Sequence, residues 1–216
     1  MNMPRYGKPN VAYVSTWFSD PIDKPMWALN LMKYRPIADY QDGRDLHISG
    51  ADADMLYNPT GPLAEVGGRV MLATDVLHQI SGDHITWDRV AVAYYPKRVA
   101  MMEMPQLPSF IDLHAHKDAA MDFTIVMASM PTNNCPQPAD WSMLTEDDLL
   151  LVQVSNEQST VDFGSLVTSR RVGEYHVEGV IVGDERSWSS ATWDIIARTE
   201  VDKLVAASTN LAEAST

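Results

Sequence analysis

The chain has 216 residues, 45% of them hydrophobic and 21% charged, which describes an ordinary globular protein with enough material for a real core. Its net charge of −13 argues against nucleic acid and against an acidic membrane face, because both would repel such a surface. A single cysteine, Cys135, excludes an internal disulfide and a thiolate zinc cluster.

The first residues, Met1-Asn2-Met3-Pro4-Arg5, lack the apolar core of a signal peptide, and no apolar run is long enough to span a bilayer. A cytoplasmic protein is therefore expected. Residues 10–18 (NVAYVSTWF) read as an N-terminal strand, and residues 26–34 (MWALNLMKY) as a buried strand between Pro25 and Pro36. An irregular stretch then leads into a helix stopped at Gly67-Gly68. Strands at 69–79 and 85–95 follow, then a short helix at 98–104 closed by Pro105 and Pro108. A further helix at 111–121 precedes a strand at 123–130. Residues 131–147, with three prolines and two asparagines, read as a linker. Beyond it come a strand at 149–155 and a short helix carrying Phe163, Leu166 and Val167, with Ser159 or Thr160 as its N-cap. Strands at 174–182 and 191–199 are next, and a last helix starts near Glu200 with Val201, Leu204, Val205 and Ser208 at helical spacing.

The chain also repeats itself. Under a shift of 106 residues, segment 66–102 lies on 172–208 without a gap. Val66-Gly67 falls on Val172-Gly173, Ser81 on Ser187, Thr86-Trp87-Asp88 on Thr192-Trp193-Asp194, and Lys97, Val99 and Ala100 on Lys203, Val205 and Ala206. A period this long is no solenoid; it points to two copies of one α+β unit in a single chain. The order of elements is β-α-β-β-α-β, the ferredoxin-like arrangement. The expected organisation is an N-terminal arm (1–25), a first unit (26–130), a linker (131–147) and a degenerate second unit (148–216) that ends before its fourth strand. The N-terminal strand would fill that place or extend a sheet edge, and an edge left open would favour a homodimer.

The first unit resembles the DUF1330 family of the dimeric α/β-barrel superfamily. The resemblance rests on Asn30-Leu31-Met32-Lys33-Tyr34, on residues 63–70 (LAEVGGRV), on Trp87-Asp88-Arg89-Val90 followed by Tyr95-Pro96-Lys97-Arg98, and on His116-Lys117-Asp118-Ala119-Ala120. The second unit keeps only the Thr-Trp-Asp signature and the helix. Members of that superfamily pair two ferredoxin-like units through their sheets, so the fused repeat implies that one chain makes the whole barrel, with two units packed sheet to sheet around a pocket. The superfamily includes polyketide cyclases, muconolactone isomerases, cofactor-free monooxygenases and haem enzymes. DUF1330 itself has no assigned function, and fold alone does not fix one.

His116 is the first candidate for chemistry, because imidazole moves protons in either direction near neutrality. The resemblance puts it at a characteristic position on a helix expected to cover one mouth of the barrel. His114 does not join it in a metal site: two residues apart on a helix they do not share a face, and no acidic partner is suitably spaced. Asn30 sits in an apolar strand, where its amide needs a neighbour or a ligand carbonyl. Strand alternation puts Asn30, Met32 and Tyr34 on one face, with Leu31 and Lys33 on the other. Tyr94 is a phenol able to donate to a developing oxyanion. Trp87, Met102, Tyr34 and Met32 are expected to line an apolar site. Trp87 and Asp88 recur as Trp193 and Asp194, which favours a structural role for the aspartates. No phosphate loop, dinucleotide fingerprint, nucleophile elbow or Cys/His dyad is present. The reading is a cofactor-free and metal-free acid–base enzyme (isomerase, cyclase, dehydratase or lyase) acting on an apolar, aromatic or polyketide-like carbonyl compound. The alternatives are a cofactor-free monooxygenase on a phenol and a non-catalytic small-molecule-binding protein.

Overall fold

Pro25 and Pro36 bracket strand β1 (Met26–Tyr34), whose first seven residues are all buried. The computed structural model describes residues 4–20, 23–82, 85–132, 148–183 and 192–198. After β1 come helices α2 (Gly50–Leu56) and α3 (Thr60–Glu65), strands β2 (Arg69–Ser81) and β3 (Arg89–Tyr95), then helix α4 (Ala100–Glu103) with a 3₁₀ turn (Met104–Gln106). Helix α5 (Pro108–Ala120) and strand β4 (Met121–Pro131) complete the first half, and a short helix, α1 (Val11–Trp17), precedes β1. The second half contributes strands β5 (Leu149–Ser155), β6 (Thr160–Ser165), β7 (Arg171–Val182) and β8 (Thr192–Arg198).

All eight strands join in one closed barrel in the order β1-β3-β2-β8-β5-β6-β7-β4, with antiparallel pairing throughout. This overturns the expectation of two ferredoxin-like units packed sheet to sheet as an intrachain dimeric α/β barrel. The two halves share one sheet, joined edge to edge by β2–β8 and β4–β7. Hydrogen bonds between strand edges leave no pair of separate sheets to face each other across a pocket. At eight strands a barrel interior is just wide enough for side chains to fill. Trp27, Leu29, Leu31, Trp87, Ile125, Phe163, Tyr175 and Trp193 are among the buried residues that fill it.

Two element predictions also fail. Residues 10–18 form α1 rather than a strand: the Asn10 side chain accepts from the Tyr13 amide, and Val14 and Trp17, three apart, are buried. The barrel closes through β8 and needs no strand from this segment. The helix expected around Phe163 is strand β6, with alternate residues Val161, Phe163 and Ser165 buried. The three-residue spacing of Phe163 and Leu166 mimicked a helix across a strand end. The last predicted helix, from Glu200, lies outside the described residues.

Helices α2, α3 and α5 coat the outer face of the first half, and α1 also reaches β7, where Tyr13 lies against Gly179. Phe110 of α5, Leu63 of α3 and Trp17 of α1 pack with Met26, Ala28, Tyr95 and Val126 from the sheet, and Ala53, Ala119 and Ala120 pack with Met32. α5 therefore lies along the sheet rather than over a barrel mouth. Gly68 is required where α3 turns into β2, because a Cβ there would stand 2.6 Å from the Tyr94 carbonyl oxygen.

Candidate functional site

The strand registers build a floor of small residues on the helix-covered face. Residues 27, 29 and 31 of β1 point into the barrel, so 28, 30 and 32 point out beneath the helices. Asn30 lies opposite Ala91 on β3 and Val126 on β4, Ala28 lies opposite Ala93 and Ala128, and Ala73 lies opposite Ala91. Ala28, Ala73, Ala91, Ala93 and Ala128 thus surround Asn30. Ala91 and Ala93 stay partly solvent-accessible although they lie mid-strand under a helical layer. We take the helix-covered layer between this floor and helices α2, α3 and α5, called the slot below, as the candidate site. Asn30 Nδ2 donates to the Ala28 carbonyl at 3.0 Å, and its Oδ1 has no protein partner among the described residues.

One end of the slot is ionic. Asp54 of α2 is buried and accepts a 2.8 Å hydrogen bond from the Tyr34 hydroxyl. Arg89 Nε stands 3.6 Å from the same carboxylate, and Arg89 Nη1 donates to Asp75 at 2.8 Å. Burial, reinforced by the Asp54 charge, pushes the Tyr34 phenol well above its ordinary range, so it stays a proton donor.

α5 supplies the roof. Lys117 Nζ lies 5.2 Å from the Tyr57 ring centre and 5.7 Å from that of Tyr6, and no described residue gives it a hydrogen bond or ion pair. Burial lowers its pKa, and the more distant Asp54 charge only partly offsets this. His114 is three residues earlier, on the same helix face, with Nε2 2.9 Å from the Tyr6 hydroxyl and its ring 5.1 Å from that of Phe110. Burial first, then the Lys117 charge, lowers its pKa, while Asp118 opposes. Burial pushes the Tyr6 phenol upward, so we assign Tyr6 as donor and His114 as a neutral acceptor.

The structure separates the three residues predicted to share the chemistry. Asn30 lies on the outer face of β1, in the slot. Tyr94 points the other way, with its ring 5.0 Å from Trp27 and beneath the Arg69 guanidinium at 4.9 Å. His116 faces Tyr40 and Arg44, its Nδ1 2.7 Å from the Tyr40 hydroxyl and its Nε2 3.1 Å from Arg44 Nη1. Arg44 can only donate, so Nε2 accepts and Nδ1 carries the proton. Both ring nitrogens are thus engaged. Burial, then Arg44, lowers the pKa of His116.

Of the predicted lining, Met32 is buried in the helix-covered layer, with Tyr34 packed against it, and Met102 packs at the edge of the layer around Phe110. Trp87 is in the barrel core, stacked on Phe123 with ring centres 5.9 Å apart and edge-on to Trp193 at 5.6 Å. Asp88 accepts from the Tyr34 amide at 2.7 Å and pairs with Lys33 at 3.0 Å, while Asp194 accepts from Ser81 and Gln153. No group of three or more potential metal ligands comes together among the described residues. No helix there is long and apolar enough to cross a membrane. Sequence reasoning missed Asp54, Tyr57 and Lys117. The i, i+3 pair His114–Lys117 beside aromatic residues was the available signal.

No family model and no curated protein matches this chain. Among solved structures, the methylated RPA0582 protein is similar at 28% identity with a TM-score of 0.52, over 62% of this chain and 99% of that one. A second structure of RPA0582, a protein of unknown function from Rhodopseudomonas palustris, matches at 25% identity and a TM-score of 0.49, over 57% of this chain and 94% of that one.

Proposed function

We propose that this protein is a small-molecule enzyme working by acid–base chemistry on a carbonyl compound held in the slot between the outer sheet face and helices α2, α3 and α5. The observation that carries the reading is a Lys117 ammonium left without an acceptor in the same helix-to-sheet layer as the buried Asp54–Tyr34–Arg89 set and the unpartnered Asn30 Oδ1. An oxyanion formed beside the carbonyl would be stabilised by Lys117, and His114 with Tyr6 would accept and return the proton. Asn30 Oδ1 would accept from a substrate hydroxyl or enol. The alanine floor is apolar and flat, which suits a planar or aromatic body. His116 stands outside this set, since it would have to release Tyr40 and Arg44 to act.

A thermal-shift screen against aromatic acids, phenols and lactones tests the reading. A ligand whose stabilisation is lost in Asn30→Ala and Lys117→Met but kept in His116→Ala is expected. A ligand indifferent to Asn30 and Lys117 would move the site elsewhere and refute the slot.

A further inference from the structure

We propose that His116 is a proton-operated latch: as a neutral imidazole it holds the loop between β1 and α2 against α5, and on protonation it lets the tip of that loop go. The inference does not depend on the slot reading. The loop, residues 35–49, is closed at its base, where the Ala38 amide donates to the Ile48 carbonyl at 2.9 Å and the Gly50 amide to that of Arg35 at 3.1 Å. The base is also tied to its surroundings. The Asp39 amide donates to the Ala119 carbonyl at 3.0 Å, and Arg5 Nη1 donates to the Asp39 carboxylate at 2.6 Å. The tip, residues 40–47, is held through one ring. Arg44 Nη1 donates to His116 Nε2 at 3.1 Å, and His116 Nδ1 donates to the Tyr40 hydroxyl at 2.7 Å. No other hydrogen bond or ion pair joins residues 40–47 to α5 among the described residues. The Arg44 guanidinium also lies 4.9 Å over the Tyr40 ring, which meets His116 edge-on at 5.5 Å.

Arg44 has donors only, so its bond to Nε2 lasts while that nitrogen keeps its lone pair. A proton there sets N–H against N–H and one cation beside another. Asp42, from the same tip, favours the proton, but both its oxygens already accept from Arg44. Asp112, one turn earlier on α5, acts on Arg44, and no charge on α2 or the N-terminal segment acts on His116. Burial first, then Arg44, holds the imidazole pKa below its ordinary value. A ring freed from the loop regains that value, so falling pH favours release. The base stays closed over the same range, because the bond from Arg5 holds the Asp39 carboxyl below the usual carboxylate range and keeps it charged. Tyr40 packs against the cluster of Met32, Ala38 and Ala119, so a departing tip bares that end of the helix-covered layer.

The test is tryptic cleavage after Arg44 in the full chain, with its rate divided by that of a synthetic peptide of residues 40–48 at the same pH. Between about pH 7.5 and about pH 5.5 this ratio should rise at least about threefold. Arg89, buried beside the barrel, should stay uncut and so mark an intact fold. His116→Gln, whose amide keeps an acceptor and a donor but takes no proton, should hold the ratio low at both pH values. His116→Ala should leave it high at both. A wild-type ratio indifferent to pH, an equal rise in His116→Gln, or a low ratio at both pH values in His116→Ala overturns the proposal. Cleavage at Arg89 in step with Arg44 overturns it as well, since the whole fold would then be opening.

Discussion

The two halves of the barrel bury their strands differently. β1 is buried on both faces, with Leu29 and Leu31 packed inside and Met26, Ala28 and Met32 packed under helices, whereas β5 and β6 bury alternate residues only. The second half has no helix of its own among the described residues; α1 packs on β7, with Ile181 beside Val14 and Trp17, while β5 and β6 present their other face to solvent in the ordinary manner of a one-sided antiparallel sheet. A half-buried lysine, a buried aspartate and an unpartnered amide need a second layer above the sheet. Over the first half, α2, α3 and α5 supply it. The barrel interior, shared by both halves, is filled with apolar side chains and serves the fold, while the layer between sheet and helices carries the ionisable groups.

Removing a large interior side chain should therefore give the largest effect on stability. Trp193→Ala, at a fully buried ring touching Trp87, is expected to cost about 3–5 kcal/mol in urea unfolding. Ligand binding measured well below that midpoint should survive. Asp54→Ala comes next, at about 3 kcal/mol, because it strips Tyr34 of its acceptor and Arg89 of a counter-charge. Unlike the tryptophan change, it should also weaken any ligand held in the slot.

A matched pair of enlargements sharpens the contrast. Ala197→Met, inside the barrel, should cost about 1–3 kcal/mol by overpacking, whereas Ala91→Met, on the slot floor, should cost under about 1 kcal/mol and abolish ligand stabilisation. Equal costs at both positions would mean that the floor is packed rather than open. Asn10→Ala removes the N-cap of α1 and should cost about 1 kcal/mol without touching ligand binding.

The smallest effect is a pH slope. The folded-state pKa of His114 lies below 6.5, so the unfolded chain binds its proton more readily. Stability from this group is full above pH 6.5 and is lost as pH falls toward the folded value. His116 contributes in the same direction. Chemical denaturation across this range should show the loss, and His114→Phe should reduce its slope while leaving the part due to His116.

The first half's local elements were readable because proline and glycine mark their ends: Pro25 and Pro36 around β1, Gly67-Gly68 after α3, and Pro108 as the first residue of α5. The facing of Asn30, Met32 and Tyr34 followed from two-residue alternation. The second half was harder, because Phe163, Leu166 and Val167 fit a short helix as well as a strand running into a turn. The site was legible only in fragments. Asn30 stood out as a polar residue in an apolar strand, but Asp54 and Lys117 looked like ordinary helix-surface charges. His116 looked catalytic until Tyr40 and Arg44, each more than seventy residues away in sequence, were seen to occupy both ring nitrogens.

The sequence by itself determined the strands of the first half, the duplicated Thr-Trp-Asp segment and the acidic charge, since these depend on residues close along the chain. Tertiary structure decided that β2 pairs with β8 and β4 with β7, closing one barrel instead of stacking two sheets. It also decided which charged groups are buried together, because desolvation and pairing depend on neighbours in space that no local pattern encodes.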